Sequence, residues 1–326
     1  MTTAVGAVID VMFKEAIMRC IRTIGLIVVV LNGGCAWPVW AEEALPLRHL
    51  QVNGVELSYI DQGTGAPVVF VHGAFSDLRI WERQRPAVAQ SYRFIAYNQR
   101  DHGPEPWPDA GQHYSAATHA ADLAAFLGAL PVGPAHLVAH SSGGGVATLV
   151  ALDHPDLVRS VTLAEPAIGT LLADLPEGKA PLDDRAQVLA QVRAAVNAGD
   201  ALQATKVLFE WVDNEGPGTF DRQPEAVHQM FRDNARTLPL LLAAPPPALS
   251  CATLGGVKAS TLVIEGERTR RFFALIDEVV VRCLPGSRLV TIAQATHPMF
   301  VQQPGAFNDA LVQFLRSIKP GVARDP

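Results

Sequence analysis

No run of basic residues occurs anywhere in the 326-residue chain, and 26 Lys and Arg face 32 Asp and Glu, a formal charge of −6. Phosphate backbones are gripped by clustered Lys and Arg, so nucleic-acid partners are excluded. Phosphate loops, dinucleotide fingerprints and Cys/His metal spacings are missing too, and no cofactor or metal is implied. Long apolar runs are also scarce. The stretch Ile24 to Leu31 is broken by glycine and falls short of the roughly 20 residues that span a bilayer, so no stable membrane insertion is expected. There is no internal repeat, and no low-complexity tract beyond Pro245-Pro246-Pro247. Cysteine is rare, at four residues, which excludes a small disulfide-built scaffold.

What is present is a globular composition, 49% hydrophobic and 18% charged, with length for one catalytic core and an inserted subdomain. The N-terminus stands apart. Met18-Arg19-Cys20-Ile21-Arg22 is a short basic start, an apolar segment follows, and Val39-Trp40-Ala41 precedes Glu42-Glu43. That is the pattern of a secretory signal peptide cleaved after Ala41, with residues 1–17 an upstream extension from a mis-chosen start codon. A secreted or periplasmic location follows. The segment before Cys35 matches a lipid-anchor site poorly. After cleavage Cys251 and Cys283 remain, either paired or as buried free thiols, and their separation in sequence does not decide which.

From Leu47 the chain alternates strand and helix. Arg48 to Val52 and Val55 to Ile60 flank Asn53-Gly54, a hairpin signal. Pro67 to Val71 is continuously apolar, as a strand covered on both faces should be. A helix from Trp81 to Gln90, a strand from Tyr92 to Tyr97, a helix from Thr118 to Leu130, a strand from Ala135 to Ala139 and a strand from Val158 to Ala164 follow. Between Ala167 and Ala259 the rhythm stops. Helical patterns at Asp183 to Asn197, Leu202 to Trp211 and Pro224 to Arg236 are separated by glycine and proline. Strands at Thr261 to Ile264 and Arg288 to Ile292, with helices at Arg271 to Cys283 and Pro304 to Ile318, complete the pattern. The expected fold is α/β: a mostly parallel eight-stranded sheet with helices on both faces. Residues 42–166 and 259–326 form the core, and 167–258 form an inserted helical lid.

Ala139-His140-Ser141-Ser142-Gly143 reads as a nucleophile elbow, in which the serine occupies a strained strand-to-helix turn and tolerates only small residues two positions either side. Upstream lies His72-Gly73 after an apolar strand, and downstream a lone loop histidine, His297. With Val71-His72-Gly73, Asn98-Gln99-Arg100-Asp101-His102-Gly103 and Ala295-Thr296-His297, residues 47–320 resemble the α/β-hydrolase superfamily, in its lidded serine-hydrolase branch. The turn after the fourth strand usually reads Asp-x-Arg-Gly-x-Gly, and Asn98 and Asp101 depart from it.

The resemblance implies Ser141 as nucleophile, His297 as base, and the backbone N–H groups of Ala74 and Ser142 as an oxyanion hole. The usual acid position falls on Thr269, which cannot carry charge. A minority of relatives place the acid one strand earlier, at Glu165 here, with Glu267 the alternative. Phe75, His140 and Met299 adjoin motif positions and are the candidate pocket residues. A serine attacks acyl carbons, so the expected substrate is a small-molecule ester or lactone cleaved through an acyl-enzyme. A carbon–carbon bond hydrolase or perhydrolase on the same scaffold, and a non-catalytic ligand-binding relative, are the alternatives. Oligomeric state is not legible.

Overall fold

The computed structural model describes residues 46–107, 110–131 and 133–319, and the expected signal peptide lies outside them. Two strands open the described residues, β1 (Arg48–Val52) and β2 (Val55–Gln62), with Asn53 and Gly54 between them at φ 45° and 78°. Both positive dihedrals are what a two-residue hairpin turn demands, and Asn-Gly supplies them at low cost. The parallel strands β3 (Pro67–Val71) and β4 (Arg93–Tyr97) follow, with α1 (Arg85–Ala89) between them. The single helix expected at Trp81 to Gln90 is therefore a 3-10 turn at Leu78–Trp81 and the short α1, because Pro86 can enter only a first helical turn.

Helix α2 (Ala116–Ala129), capped by Ser115, leads to β5 (Ala135–His140), α3 (Ser142–Asp153) and β6 (Val158–Ala164). After the lid come β7 (Ser260–Gly266), α9 (Arg271–Cys283), β8 (Arg288–Ile292), α10 (Met299–Gln302) and α11 (Pro304–Ser317). The strands lie in the order β1-β2-β4-β3-β5-β6-β7-β8, antiparallel at β1–β2 and β2–β4 and parallel elsewhere. Every residue of β3 and of β5 is buried, as two-sided helix cover requires.

Register decides what meets at the sheet's carboxyl edge. Val71 pairs with Ala139, His140 with Ala164, and Ala164 with Ile264. The residues after β3, β5 and β6 are therefore neighbours although about 70 and 24 positions apart in sequence, the site expected at such strand ends.

The lid consists of α4 (Lys179–Asn197), α5 (Ala201–Asp213), α6 (Glu225–Asn234), α7 (Leu238–Ala243) and α8 (Cys251–Leu254). Helix α7 did not announce itself, since Pro239 reads as a breaker; it sits in the first turn, where its missing N–H costs nothing. Asn234, fully buried, ties the lid to the core. Its amide donates to Asp77 at 2.6 Å and accepts from Gly103 N at 2.7 Å.

Cys251 and Cys283 form a disulfide with Cα atoms 5.1 Å apart, joining α8 to the end of α9 across a separation of 32 residues. A loop of that length predicts that Cys251→Ser lowers stability by about 3–4 kcal/mol. Urea unfolding of the variant and of wild type, each with and without reductant, measures this. Reductant should bring wild type to the variant's midpoint and leave the variant where it is.

Candidate active site

The turn from β5 to α3 puts Ser141 at φ 53°, ψ −123°, a conformation that non-glycine residues avoid. Three backbone hydrogen bonds pin it there: Ser141 N to Ala164 O at 3.1 Å, and Gly144 N and Ala167 N to Ser141 O at 2.9 Å each. The demand for small neighbours is visible in the packing. A Cβ on Gly143 would lie 2.4 Å from the His72 carbonyl, and one on Gly73 3.0 Å from the Ser141 Cβ.

Ala74 and Ser142 line the same cavity as Ser141. Ser142 opens α3, so its N–H lies among those a helix leaves without internal partners. The β3 loop that carries Ala74 is braced from behind. His72 Nε2 accepts from Gln99 N at 3.0 Å, Gln99 Nε2 donates to His72 O at 2.8 Å, and Asn98 Oδ1 accepts from Leu78 N at 2.9 Å. Asn98 thus does structural work at a position where the superfamily usually has aspartate. Asp101, standing where glycine is usual, adopts φ 64°, a left-handed conformation that Asp tolerates better than most residues. Arg100 is locked by a two-pronged pair with Asp122, at 2.7 and 2.9 Å.

Glu165 follows directly on β6 at φ 45° and is fully buried. Three donors converge on its carboxyl: Gly266 N on Oε1 at 2.8 Å, and Thr269 Oγ1 and His297 Nδ1 on Oε2 at 2.7 and 2.6 Å. Thr269, at the superfamily's usual acid position, thus donates to the carboxyl that lies one strand away. Glu267 is turned elsewhere and accepts from Gln294 N at 2.8 Å on the exposed rim.

His297 lies between β8 and α10, with the Phe273 ring stacked on it at 3.9 Å and His140 at 4.4 Å. His140 Nε2 lies 3.3 Å from the His297 carbonyl, so the residue before Ser141 steadies the base from its backbone side. Among the described residues no hydrogen bond joins Ser141 to His297; catalytic hydrogen bonds of this kind often form fully only with substrate in place.

Electrostatically the centre is defined by desolvation. Burial pushes Glu165 up to about 8 against the opposing pull of Gly266 N–H and the Thr269 hydroxyl, and burial pushes His297 down to about 3. Between those limits the pair holds one proton in common. Asp277 on α9, also fully buried, is raised well above the usual carboxylate range by burial and then by nearby Glu165, Glu265 and Glu278.

A cavity of about 490 Å³ opens over Ser141 beneath the lid. Phe75, itself at φ 43°, lines it, whereas His140 and Met299 are buried and lie outside its lining. Two contributors had gone unnoticed in the sequence. Phe273 is one of several apolar positions on α9, and nothing in the pattern marks it as the residue under His297. Arg185 sits on the cavity-facing side of α4 between Leu182 and Leu189; a charge in line with an apolar stripe was the available signal. Among the described residues, no group of His, Cys, Asp or Glu is arranged to hold a metal, and no helix is long and apolar enough to cross a membrane.

The sheet order, the elbow and the inserted helical lid define an α/β-hydrolase-fold protein, and the comparisons agree. Residues 66–207 match the family model of the alpha/beta hydrolase fold. The chain is 32% identical over 134 residues to 2-(acetamidomethylene)succinate hydrolase of Mesorhizobium japonicum, a match covering 40% of this chain and 48% of that protein. It thus spans about half the length of that curated relative, and a third (33%) of a second. Among solved structures it resembles Est816, described as an N-acyl homoserine lactone degrading enzyme, with TM-score 0.65, 26% identity, and coverage of 82% of this chain and 100% of that one. A hydrolase from Pseudomonas aeruginosa PA01 superposes with TM-score 0.67 at 27% identity, covering 82% and 98%. The chain has the α/β-hydrolase fold and is similar to hydrolases that share it.

Proposed function

We propose that the protein is a serine hydrolase that cleaves a carboxylic ester or lactone through an acyl-enzyme, with Ser141, His297 and Glu165 as its triad. The observation that carries this reading is the 2.6 Å contact of His297 Nδ1 with a Glu165 carboxyl that two further donors hold in place, on the strand edge that bears the strained Ser141. In the mechanism Ser141 Oγ attacks the scissile carbonyl while His297 Nε2 takes its proton, and Glu165 stabilises the resulting imidazolium. The N–H groups of Ala74 and Ser142 receive the oxyanion. Collapse expels the alkoxide, which takes the proton from His297, and leaves the acyl group on Ser141. Water, deprotonated by His297, then releases the acid and restores the serine. The lactone-degrading function in the description of Est816 supports the breadth of this class, and a lactone differs only in keeping its leaving group tethered.

The enzyme acts in a secreted or periplasmic compartment after loss of residues 1–41, and residues 167–258 act as its lid. The Cys251–Cys283 disulfide supports export, since such bonds persist in oxidising compartments.

The test is a substrate panel offered to the chain starting at Glu42: p-nitrophenyl esters of increasing acyl length, simple and N-acyl homoserine lactones, and a vinylogous carbon–carbon substrate. Ester or lactone turnover with a pre-steady-state burst equal to the enzyme concentration is expected. Cleavage confined to the carbon–carbon substrate would overturn the assignment.

A further inference from the structure

Helix α4 turns one face to the cavity over Ser141, and that face reads Leu182, Arg185, Leu189, Arg193 at spacings of three and four. Arg185 is the anomaly. Its guanidinium lies 5.5 Å over the Phe272 ring, and among the described residues it has no hydrogen-bond acceptor and no carboxylate. Its neighbours on the helix are already committed. Asp184 accepts from Trp211 Nε1 at 2.9 Å and from Arg270 at 3.1 Å, and Asp183 pairs with Lys179 at 2.6 Å. No Asp or Glu is among the described residues lining the cavity, where the other cation, Arg193, is exposed and donates to the Leu242 carbonyl at 3.0 Å.

A long cationic side chain on a lid helix ordinarily carries its charge out to water. Arg185 is instead half-buried at the cavity wall, with the Phe272 ring beneath it and no acceptor beside it, and burial lowers its pKa. A guanidinium remains charged at any physiological pH, and its flat fork matches a carboxylate. The cavity connects it to the reacting end through adjoining rings: Phe272 lies 5.1 Å from Phe273, and Phe273 is stacked on His297 at 3.9 Å.

We propose that the substrate is anionic, its scissile carbonyl at Ser141 and a carboxylate elsewhere in the same molecule paired with Arg185. The scissile-bond half of this statement rests on the ester-hydrolase reading, whereas the carboxylate half does not. Arg193, nearer the surface, adds a second positive charge along the same helix face. The carboxylate belongs to either the acyl or the alcohol limb, and the experiment separates the two.

Mono-p-nitrophenyl adipate against p-nitrophenyl hexanoate places the carboxylate on the acyl limb; 3-acetoxybenzoate against phenyl acetate places it on the alcohol limb. The ratio of kcat/KM, anionic over neutral, is measured for wild type, Arg185→Gln and Arg185→Lys. On the limb that faces Arg185, Arg185→Gln is expected to lower this ratio by about ten- to a hundred-fold, and Arg185→Lys to restore most of it. Ratios unchanged on both limbs would overturn the proposal. Calorimetry of adipamate and hexanamide binding, amides of the same shape that an ester hydrolase leaves intact, is the readout independent of chemistry. Tighter binding of the anion to wild type, lost in Arg185→Gln, upholds the carboxylate site even if no ester turns over, which would count against the ester reading alone. Equal binding of the two compounds, with no turnover preference on either limb, counts against the carboxylate site.

Discussion

Ser141→Ala is expected to lower kcat for an ester substrate by about a million-fold, leaving only the rate that the oxyanion donors and substrate binding provide. The expectation rests on division of labour at the elbow. Backbone strain at φ 53° and the bonds to Ala164, Gly144 and Ala167 belong to the main chain and survive the loss of the hydroxyl. Alanine has the same aversion to that dihedral as serine, so the melting temperature should hardly move. Active-site titration with a fluorophosphonate, read by mass spectrometry, should label wild type once and the variant not at all. A variant that retained more than a thousandth of the wild-type turnover would place the nucleophile elsewhere.

Glu165→Gln is expected to cost about 10,000-fold in kcat. The amide keeps the volume of the acid but presents an N–H where His297 Nδ1 needs an acceptor, so the tautomer with a bare Nε2 is lost. The pH profile separates this from a packing defect. Catalysis needs the pair stripped of its shared proton, with Glu165 ionised and His297 neutral. Because burial raises Glu165 to about 8, wild-type kcat/KM should climb with pH through the neutral range and level off above that value. In Glu165→Gln the titrating carboxyl is gone, and His297 is held at about 3 by burial, so the residual rate should be flat from pH 5 to 9. The same acid limb in both enzymes would show that the proton is not the one Glu165 shares. Glu267→Gln, which removes only an acceptor for the exposed Gln294 N–H, should leave the profile in place.

The strand pattern was legible because strands buried on both faces have to be continuously apolar, and β3 and β5 are. The hairpin was equally plain from Asn53-Gly54. The helices near proline were harder, since proline breaks a helix interior yet opens a helix readily: Pro86 and Pro239 do the second. The pocket was the least legible. Adjacency to a motif pointed to Phe75, His140 and Met299, but of the three only Phe75 lines the cavity; His140, at the end of β5, and Met299, at the start of α10, are buried outside it.

Chain order, the small residues around Ser141 and the lone His297 are local or ordinal properties, and the sequence alone was enough to establish them and the α/β layout with its inserted lid. The pairing of Glu165 with His297, 132 positions away, required the β6 and β7 registers; sequence favoured Glu165 over Glu267 by analogy but could not show which of two carboxyls on adjacent strand ends meets the imidazole. The union of Cys251 with Cys283 likewise depended on α8 settling against α9. Arg185 looked like any helix arginine until the lid folded over Ser141 and left its charge beside an apolar cavity. Each of these is a matter of distance between segments remote in the chain, and such distances exist only once sheet register and lid packing have been set.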